Sequence, residues 1–429
     1  MAYADMTREE LTAMKVDLED ELAHYRARDL SLNMARGKPA SDQLDLSTEM
    51  LTLLKSSEDC FNENGVDCRN YGGLEGIDEA RRLMAVLLDD DPENVIVGGN
   101  SSLTLMYNSV ARYMDFGARG SKPWMDYDCI KWICPVPGYD RHFFITKSFG
   151  IDNIPVPMND DGPDMDEVER IAASDERVKG IWCVPKYANP GGMTYSDEVV
   201  ERLGHLKCAA HDFRIFWDNA YSVHHLYDDP EDQDQLLDIA GPCRDSGNPN
   251  RYMKFASTSK VTIAGAGIAA VASSPDNVAE FKKRMGIATI GGDKLNQLRH
   301  ARFLKDADGI AEHMKKHAAI LRPKFELVES KLSEQLADVG ECSWSKPRGG
   351  YFVSFYAPNG TAQHIVRLCQ QVGVTLTEAG STWPSGVDPN DSNIRIAPTL
   401  PPIEELDVAL DVFCCSVKLA YIARLLAKL

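Results

Sequence analysis

The chain has 429 residues, and its 46 basic and 65 acidic residues give a formal net charge of −19. A surface this acidic repels nucleic acid and anionic membranes, and a chain this long predicts two or three domains. The sequence starts without a basic segment followed by an apolar one, has no long apolar run, and shows no CxxC or Cys/His cluster among its eleven cysteines; we therefore expect a cytoplasmic protein with no nucleic-acid partner, no membrane span and no bound metal.

The first part of the chain alternates helical and extended patterns. Thr7 and Glu10 form a capping-box pattern that predicts a helix over residues 7–28, and "LNMARGKPA" then predicts an extended loop. "GIDEARRLMAVLLD" predicts a helix. "NVIVGGNSSLTLMYNSVARYM" predicts a short strand, a Gly/Ser turn and another helix.

Strand-like runs continue at "KWICPVP", "GIWCVP", "FRIFWDNAY" and "YMKFAST", with helical segments such as "SDEVVERLGHLKCAA" between some of them. This alternation predicts an α/β domain whose parallel sheet has helices on both faces. From about Ala301 the pattern changes. One long charged amphipathic helix over residues 300–336, then the strand "GGYFVSFYA" and another helix, predict a separate α+β C-terminal domain.

Lys260 stands in "FASTSKVTIAGAGIAA", behind three hydroxyl residues and ahead of an uncharged run. Partial removal from water disfavours the charged form of a lysine, and a neutral amine can form a Schiff base with an aldehyde. The alternative is an ordinary surface lysine at a turn.

Asp218 ends the apolar run "FRIFWD", where functional carboxylates occur at the carboxyl end of a parallel strand. A buried carboxylate needs a positive partner, and a protonated pyridine nitrogen is one. Tyr221 offers a phenol three residues later. The alternative for Asp218 is a helix N-cap.

Two turns add further candidates. "VPKYANPGGMTYS" holds Asn189 in an Asn-Pro-Gly-Gly turn, from which it can hydrogen-bond a ring substituent; most such turns do no chemistry. "VGGNSSLTL" lies at a strand-to-helix junction, where free N–H groups and the helix dipole attract phosphate. It is neither a Walker loop nor G-x-G-x-x-G.

Taken in order, these segments resemble the pyridoxal-phosphate enzymes of the aspartate aminotransferase fold, fold type I. The matching motifs are Gly99-Asn100-Ser101-Ser102, Pro137-Gly138-Tyr139, Asn189-Pro190-Gly191-Gly192, Asp218-Asn219-Ala220-Tyr221, Ser257-Thr258-Ser259-Lys260, "YGGLEGIDEARR", "KPRGGYFVSF" and "NIRIAP". The resemblance covers nearly the whole chain and is strongest to a divergent aspartate aminotransferase subgroup related to the aminotransferase domains of pyridoxal-dependent bacterial regulators.

The resemblance implies a large domain with a mostly parallel seven-stranded sheet flanked by helices, and a smaller α+β C-terminal domain. We expect the large domain over residues 46–300 and the small domain over residues 301–429. Residues 1–45, an N-terminal helix and a gating loop, are expected to belong to the small domain. The resemblance also implies a homodimer with shared active sites.

The implied cofactor is pyridoxal 5'-phosphate. The implied catalytic residues are Lys260, which binds the cofactor and moves a proton, Asp218, which pairs with the ring nitrogen, and Tyr221. The implied cofactor-binding residues are Tyr71 (reaching the neighbouring subunit's phosphate), Gly99, Asn100, Ser101, Ser102, Tyr139 (stacking on the ring), Asn189, Asp218, Tyr221, Ser257, Ser259 and Lys260. The implied substrate-binding residues are Arg36, Gly37, Asn189 and Arg395, with Arg395 clamping the α-carboxylate.

One motif departs from the family pattern. Where the family places a phosphate-binding arginine after the lysine, this chain has Gly267. Arg36, Lys294 and Arg302 are the candidates for a replacement cation, and the sequence does not rank them.

The expected reaction moves an amino group between an L-amino acid and a 2-oxo acid, with aspartate and 2-oxoglutarate as the favoured pair. The side-chain carboxylate of such a substrate needs a second cation, for which Arg36 is preferred and Arg348 is next; an ordinary surface role for Arg36 is the alternative. Another specificity, a β-lyase or decarboxylase reaction on the same fold, and a non-catalytic sensor module remain as alternatives.

Overall fold

A computed structural model describes residues 3–429 of the chain. The helices within that range are α1 (Arg8–Arg26), α2 (Ser41–Asp45), α3 (Asp78–Leu88), α4 (Ser102–Phe116), α5 (Asp140–Ser148), α6 (Met165–Ser174), α7 (Asp197–Gly204), α8 (Ala240–Asp245), α9 (Pro275–Ala288), α10 (Lys294–Leu304), α11 (Ala307–Leu336), α12 (Ala362–Gln371) and α13 (Ile403–Lys428). The strands are β1 (Leu32–Asn33), β2 (Val95–Val97), β3 (Lys131–Val136), β4 (Asp152–Asn159), β5 (Gly162–Pro163), β6 (Val178–Cys183), β7 (Arg214–Asp218), β8 (Tyr252–Ser257), β9 (Ala269–Ala272), β10 (Ser343–Trp344), β11 (Val353–Tyr356), β12 (Val374–Thr375) and β13 (Asn393–Ile396).

The central sheet has the strand order β2-β9-β8-β7-β6-β3-β4-β5. Strands β8, β7, β6, β3 and β4 are parallel, whereas β9 is antiparallel to both of its neighbours. The predicted mostly parallel seven-stranded sheet is confirmed, and the two-residue β5, a hairpin partner of β4, adds an eighth strand at one edge.

The inner strands are apolar on both faces because helices cover both. Trp182 and Phe216 belong to the core on one face, and Ile181 and Ile215, their neighbours along the strands, belong to the core on the other. This alternation follows from the two-residue period of a strand and is typical of a doubly covered parallel sheet.

The capping box predicted at the first helix is present: Glu10 N–H donates to Thr7 Oγ1 (3.3 Å), and Thr7 N–H donates to Glu10 Oε2 (2.8 Å). The prediction of a single long helix over residues 300–336 is wrong, because the helix is interrupted between α10 and α11. Lys305 has a φ of 65°, and Asp306 accepts the N–H of Gly309 (2.9 Å) as the N-cap of a new helix.

The C-terminal part contains a three-stranded antiparallel sheet, β10-β11-β13, and the long helices α11 and α13, which pack together. Helix α1 also packs on α13, and β1 pairs in parallel with β12. The N-terminal segment is therefore joined to the C-terminal part of the chain.

This topology brings several chain segments to one edge of the central sheet. The parallel strands β6, β7 and β8 end there, at Cys183, Asp218 and Ser257. Ligand sites of open α/β sheets lie at this carboxyl edge. Across residues 3–429, the helices include none that combines the length and the apolar character needed to cross a bilayer.

Candidate active site

A cavity of about 480 Å³ opens at the carboxyl edge of the sheet. Twelve of the residues that the sequence predicts for the site line it together: Arg36, Gly37, Ser101, Ser102, Tyr139, Asn189, Asp218, Tyr221, Ser257, Ser259, Lys260 and Arg395. Segments more than 350 residues apart in the chain thus meet around one volume.

Three predicted residues are not part of this lining. Gly99 and Asn100 are exposed at the turn just before Ser101. Tyr71 is 84% exposed and lies outside the cavity of its own chain.

Asp218 is buried at the floor of the cavity. Its Oδ2 lies 3.0 Å from His142 Nε2, whereas its buried Oδ1 has no hydrogen-bond partner among the described residues. His142 lies on α5 and stacks on Trp182, with ring centroids 4.5 Å apart. A buried carboxylate oxygen without a partner is costly, so a donor bound in the cavity would satisfy it.

Sequence reasoning missed His142. The only sequence signal is its position one helical turn after Tyr139, and that spacing points at Asp218 only once α5 is packed on the sheet.

Lys260 reaches the cavity from the turn after β8. Its Nζ lies 4.8 Å from the ring centre of Tyr221, close enough for a cation–π contact. Burial raises the pKa of Tyr221, and burial raises the pKa of Tyr139 to about 12, although the nearby Lys260 charge opposes that rise. Both phenols are therefore neutral hydrogen-bond donors at neutral pH.

Hydroxyl groups gather at one end of the cavity. Ser257 Oγ donates to Ser259 Oγ (3.1 Å), and Ser101 and Ser102 stand at the N-terminus of α4. Gly99 has a φ of +67°, a conformation that favours glycine and turns the chain into the helix. Hydroxyls and the N–H groups of a helix start form a neutral anion-binding cradle.

Two of the three candidates for the missing cation, Lys294 and Arg302, donate hydrogen bonds to backbone carbonyls outside the cavity. Lys294 Nζ donates to the carbonyls of Asn70 (2.7 Å) and Gly72 (2.6 Å), and Arg302 donates to the carbonyl of Phe61. Only Arg36 of the three candidates lines the cavity. Arg348 lies outside the cavity too, where it donates to the carbonyl of Glu231.

Arg395 lies on β13 and is held from several sides. Its Nη1 donates to Asn189 Oδ1 (3.2 Å), its Nη2 donates to Thr377 Oγ1 (3.3 Å), and its Nη1 lies 3.6 Å from Asp140 Oδ1. Its guanidinium lies 5.0 Å from the Phe352 ring centre, and its buried Nε has no partner among the described residues. Sequence reasoning missed these supports, which come from other segments of the chain.

Arg36 and Arg141 are exposed side chains at the cavity wall. Beside Arg36, a Cβ on Gly37 would lie 2.4 Å from the Phe352 ring, so a larger residue there would force that ring to move. Arg141 was not among the predicted residues. The described lining contains four cationic side chains, Arg36, Arg141, Lys260 and Arg395, against two carboxylates, Asp140 and Asp218. The cavity is therefore basic within an acidic protein, which favours anionic ligands.

The parallel sheet and this lysine–aspartate–arginine cavity define a fold type I aminotransferase. The chain belongs to the aspartate aminotransferase family: the family model described as "Aspartate amino-transferase" matches residues 6–428. The fold type I resemblance inferred from the motifs is confirmed, and the protein is an enzyme that catalyses transamination.

A sequence match and a structure match from Corynebacterium glutamicum illustrate the relationship. An aspartate aminotransferase is 44% identical over 422 residues, which is 98% of this chain and 96% of that protein. The crystal structure of an aspartate transaminase is 43% identical, covers 99% of both chains and superposes with a TM-score of 0.95. An α-aminoadipate aminotransferase from Thermus thermophilus shares the fold alone, with 19% identity, a TM-score of 0.72 and coverage of 94% of this chain and 96% of that one.

Family membership implies pyridoxal phosphate, and the residues present fit it. The open Oδ1 of Asp218 is an acceptor for a ring N–H, and the serine cradle at the start of α4 is a place for a phosphate. Lys260 lines the same cavity and supplies the amine that such a cofactor requires.

Proposed function

We propose that this enzyme uses pyridoxal phosphate to move an amino group from L-aspartate to 2-oxoglutarate. The observation that carries the proposal is one cavity lined by Lys260, a buried carboxylate whose Oδ1 has no hydrogen-bond partner among the described residues, a group of serine hydroxyls at a helix start and an excess of cations. The name of the Corynebacterium glutamicum relative, aspartate aminotransferase, supports the choice of aspartate.

The cofactor would be held at three points. Ser101, Ser102, Ser257 and Ser259 would bind its phosphate, with Gly99 and Asn100 shaping the turn, and Tyr139 would stack on its ring. Asn189 and Tyr221 would hydrogen-bond its ring oxygen. When bound, pyridoxal phosphate supplies an aldehyde for amines and a ring that withdraws electrons from the bond being broken.

Asp218 and Lys260 would do the remaining work. His142 fixes Oδ2 of Asp218, so Oδ1 keeps one orientation toward the cavity and would hold a proton on the ring nitrogen. Nζ of Lys260 would take the proton from the substrate Cα and deliver it to the cofactor on the same face, which completes a 1,3-proton shift. Asp218 and Lys260 are therefore proposed as catalytic residues, together with Tyr221 through its hydrogen bond to the ring oxygen.

Substrate recognition would use the basic walls of the cavity. Arg395 would clamp the α-carboxylate, because it is already positioned by Asn189 and Thr377 and retains an unpaired Nε. Asp140, 3.6 Å from Arg395, would balance its charge while no substrate is bound. Arg36, with Gly37 in the same loop, would bind the side-chain carboxylate of aspartate.

We also propose a homodimer that shares its active sites. Tyr71 is 84% exposed, and the loop that carries it touches Gly291, near the exposed side chains of Ile287 (79%) and Ile290 (66%). Burial of these apolar groups against a second copy would place Tyr71 at the partner's cofactor phosphate. Mixing inactive Lys260→Ala and Tyr71→Ala chains should restore activity in hybrid dimers. Activity of the mixture no higher than that of the separate variants would exclude sharing.

The packing of the N-terminal segment against the C-terminal part of the chain supports the proposed domain division. Residues 1–45 would move with residues 301–429, since α1 packs on α13 and β1 pairs with β12, and residues 46–300 would hold the cofactor. Arg36 would then approach and leave the cavity with the small domain.

Absorbance spectroscopy of the purified enzyme tests the proposal. A visible cofactor band should vanish when L-aspartate is added and return with 2-oxoglutarate. A band that vanishes without returning would indicate a lyase or decarboxylase, and a protein without such a band would contradict cofactor binding. Alanine used as a matched donor tests the preference for a dicarboxylate.

A further inference from the structure

Four buried histidines surround the segment that carries Lys260, on the side away from the cavity. The segment, residues 258–262, is called the lysine turn below; Val261 N–H and Thr262 N–H both donate to the Thr258 carbonyl (2.9 Å each). The four histidines, called the histidine collar, are His224, which follows β7, His300 on α10, and His313 and His317 on α11. Their exposure is 5% or less.

Three members of the histidine collar hold backbone carbonyls of the lysine turn. His224 Nε2 lies 3.3 Å from the carbonyl of Lys260 itself. His313 Nε2 and His317 Nε2 lie 2.7 Å and 3.0 Å from the carbonyl of Val261. A carbonyl accepts only, so each of these nitrogens carries a proton and donates.

The hydrogen bonds around His317 hold it in its neutral form. Gln43 Nε2 donates to His317 Nδ1 (3.2 Å) and to the hydroxyl of Tyr351 (2.9 Å), so His317 Nδ1 is an acceptor without a proton. Gln43 Oε1 accepts the N–H of Ala40 (3.1 Å), so the amide loses that bond if it turns to face a protonated ring. Protonation of His317 therefore sets two donors against each other.

His300 completes the histidine collar from the other side. Its Nδ1 donates to the carbonyl of Asn296 (2.8 Å), and its Nε2 lies within hydrogen-bond distance of the hydroxyls of Thr258 (3.1 Å) and Thr262 (3.0 Å). Both ends of the lysine turn thus contact a buried imidazole.

We propose that the histidine collar positions Lys260 for reaction with its aldehyde partner, and that His317 takes part only while its imidazole is neutral. Because His313 and His317 lie on α11, this arrangement also ties the lysine to the C-terminal part of the chain. The inference rests on the proposed role of Lys260 and adds four positioning residues behind it.

The surroundings of the histidine collar agree with neutral rings. Burial lowers the pKa of His300 and of His317 to about 4, and burial also lowers the pKa of His224 and of His313. The ionisable groups that face the collar are Lys260 and His225 toward His224, Arg299 and Asp293 toward His300, Lys316 toward His313, and Asp42 toward His317.

Timed labelling of the full-length chain tests the proposal without relying on turnover. The protein is freed of cofactor, mixed with pyridoxal phosphate and reduced with borohydride at intervals, and the labelled fraction of Lys260 is measured by peptide mass spectrometry. His224→Leu and His317→Leu remove a donor at similar volume and should slow labelling by at least about tenfold. His317→Gln keeps a donor and should label at the wild-type rate at neutral pH. His205→Gln, at an exposed position, is the matched control.

A pH series separates positioning from general stability. As the pH falls through about 4, where His317 of the folded protein becomes protonated, the wild-type rate should fall more steeply than that of His313→Gln/His317→Gln, because glutamine is not protonated in that range. Equal labelling in wild type and folded leucine variants overturns the proposal. If the leucine variants do not fold, parallel pH curves for wild type and the glutamine variant overturn it. Absence of label from wild-type Lys260 overturns the proposed function as well.

Discussion

Two buried aspartates six residues apart, Asp212 just before strand β7 and Asp218 at its end, have opposite surroundings. Asp212 Oδ1 accepts from Lys179 Nζ (2.7 Å), and its Oδ2 accepts from Trp124 Nε1 (2.7 Å) and Ser121 Oγ (3.1 Å). Although burial acts to raise the pKa of Asp212, the Lys179 and Trp124 hydrogen bonds lower it below the ordinary value. Every acceptor atom of this carboxylate is used by the protein.

Asp218 has one oxygen held by His142, and its other oxygen is buried without a hydrogen-bond partner among the described residues. The lysines differ in the same way. Lys254 is buried at 1% exposure and donates to the Asp89 carbonyl (2.6 Å), whereas half-buried Lys260 points its amine into the cavity. The buried charges at the amino edge of the sheet are paired within the protein. The charges at the carboxyl edge are not fully paired and are available for a ligand.

The largest expected effect is at Lys260. Lys260→Ala should lower kcat by roughly 10⁴-fold or more while the chain still folds, because a reactive amine is lost from an open cavity. Steady-state kinetics and a melting curve measure both properties. Borohydride reduction of wild type should label Lys260; a label on buried Lys179 or Lys254 instead would contradict the contrast between the two edges.

The opposite pattern is expected at the amino edge. Asp212→Asn leaves the Lys179 ammonium buried without its counter-charge, which should lower the free energy of unfolding by about 3–5 kcal/mol. The kcat of the folded fraction should stay at the wild-type value. Urea unfolding and kinetics at low temperature check this, and a large kcat loss in a stable protein would show that this end also serves catalysis.

Asp218→Asn should do the reverse of Asp212→Asn. We expect kcat to fall by about a hundredfold, because an amide does not hold a proton on a ring nitrogen. The melting temperature should change little, since Oδ1 makes no hydrogen bond among the described residues. A variant with normal kcat and a lowered melting temperature would assign Asp218 to structure.

The smallest effect is expected at the exposed rim. Arg36→Ala should reduce kcat/KM for aspartate by about tenfold and that for alanine far less, because an exposed cation stabilises a carboxylate less than a buried one. Arg141→Ala is the matched variant at the same cavity wall. Equal losses for both donors would indicate that Arg36 supports the phosphate or the loop, and equal wild-type rates would remove the dicarboxylate preference.

The sequence by itself determined the class of fold and indicated the candidate residues of the site. Alternating strands and helices predicted the parallel sheet, and short local motifs predicted Lys260, Asp218, Asn189 and Arg395. The structure brings these four residues to the lining of one cavity, and their roles remain proposals. Lys260, Asp218 and Asn189 lie at strand ends or turns, where local residue types indicate the structure whatever the rest of the chain does.

Only the tertiary structure decided which groups support them. His142 meets Asp218 across 76 residues, Lys294 is drawn to the Asn70 carbonyl across 224 residues, and His317 reaches Val261 across 56. The hydrophobic periodicity of the sequence did not predict the break before α11, because the helical spacing continues through Lys305, whose φ is positive in the structure. Such contacts depend on how distant segments pack, and neither residue type nor local spacing encodes the distance at which two segments finally meet.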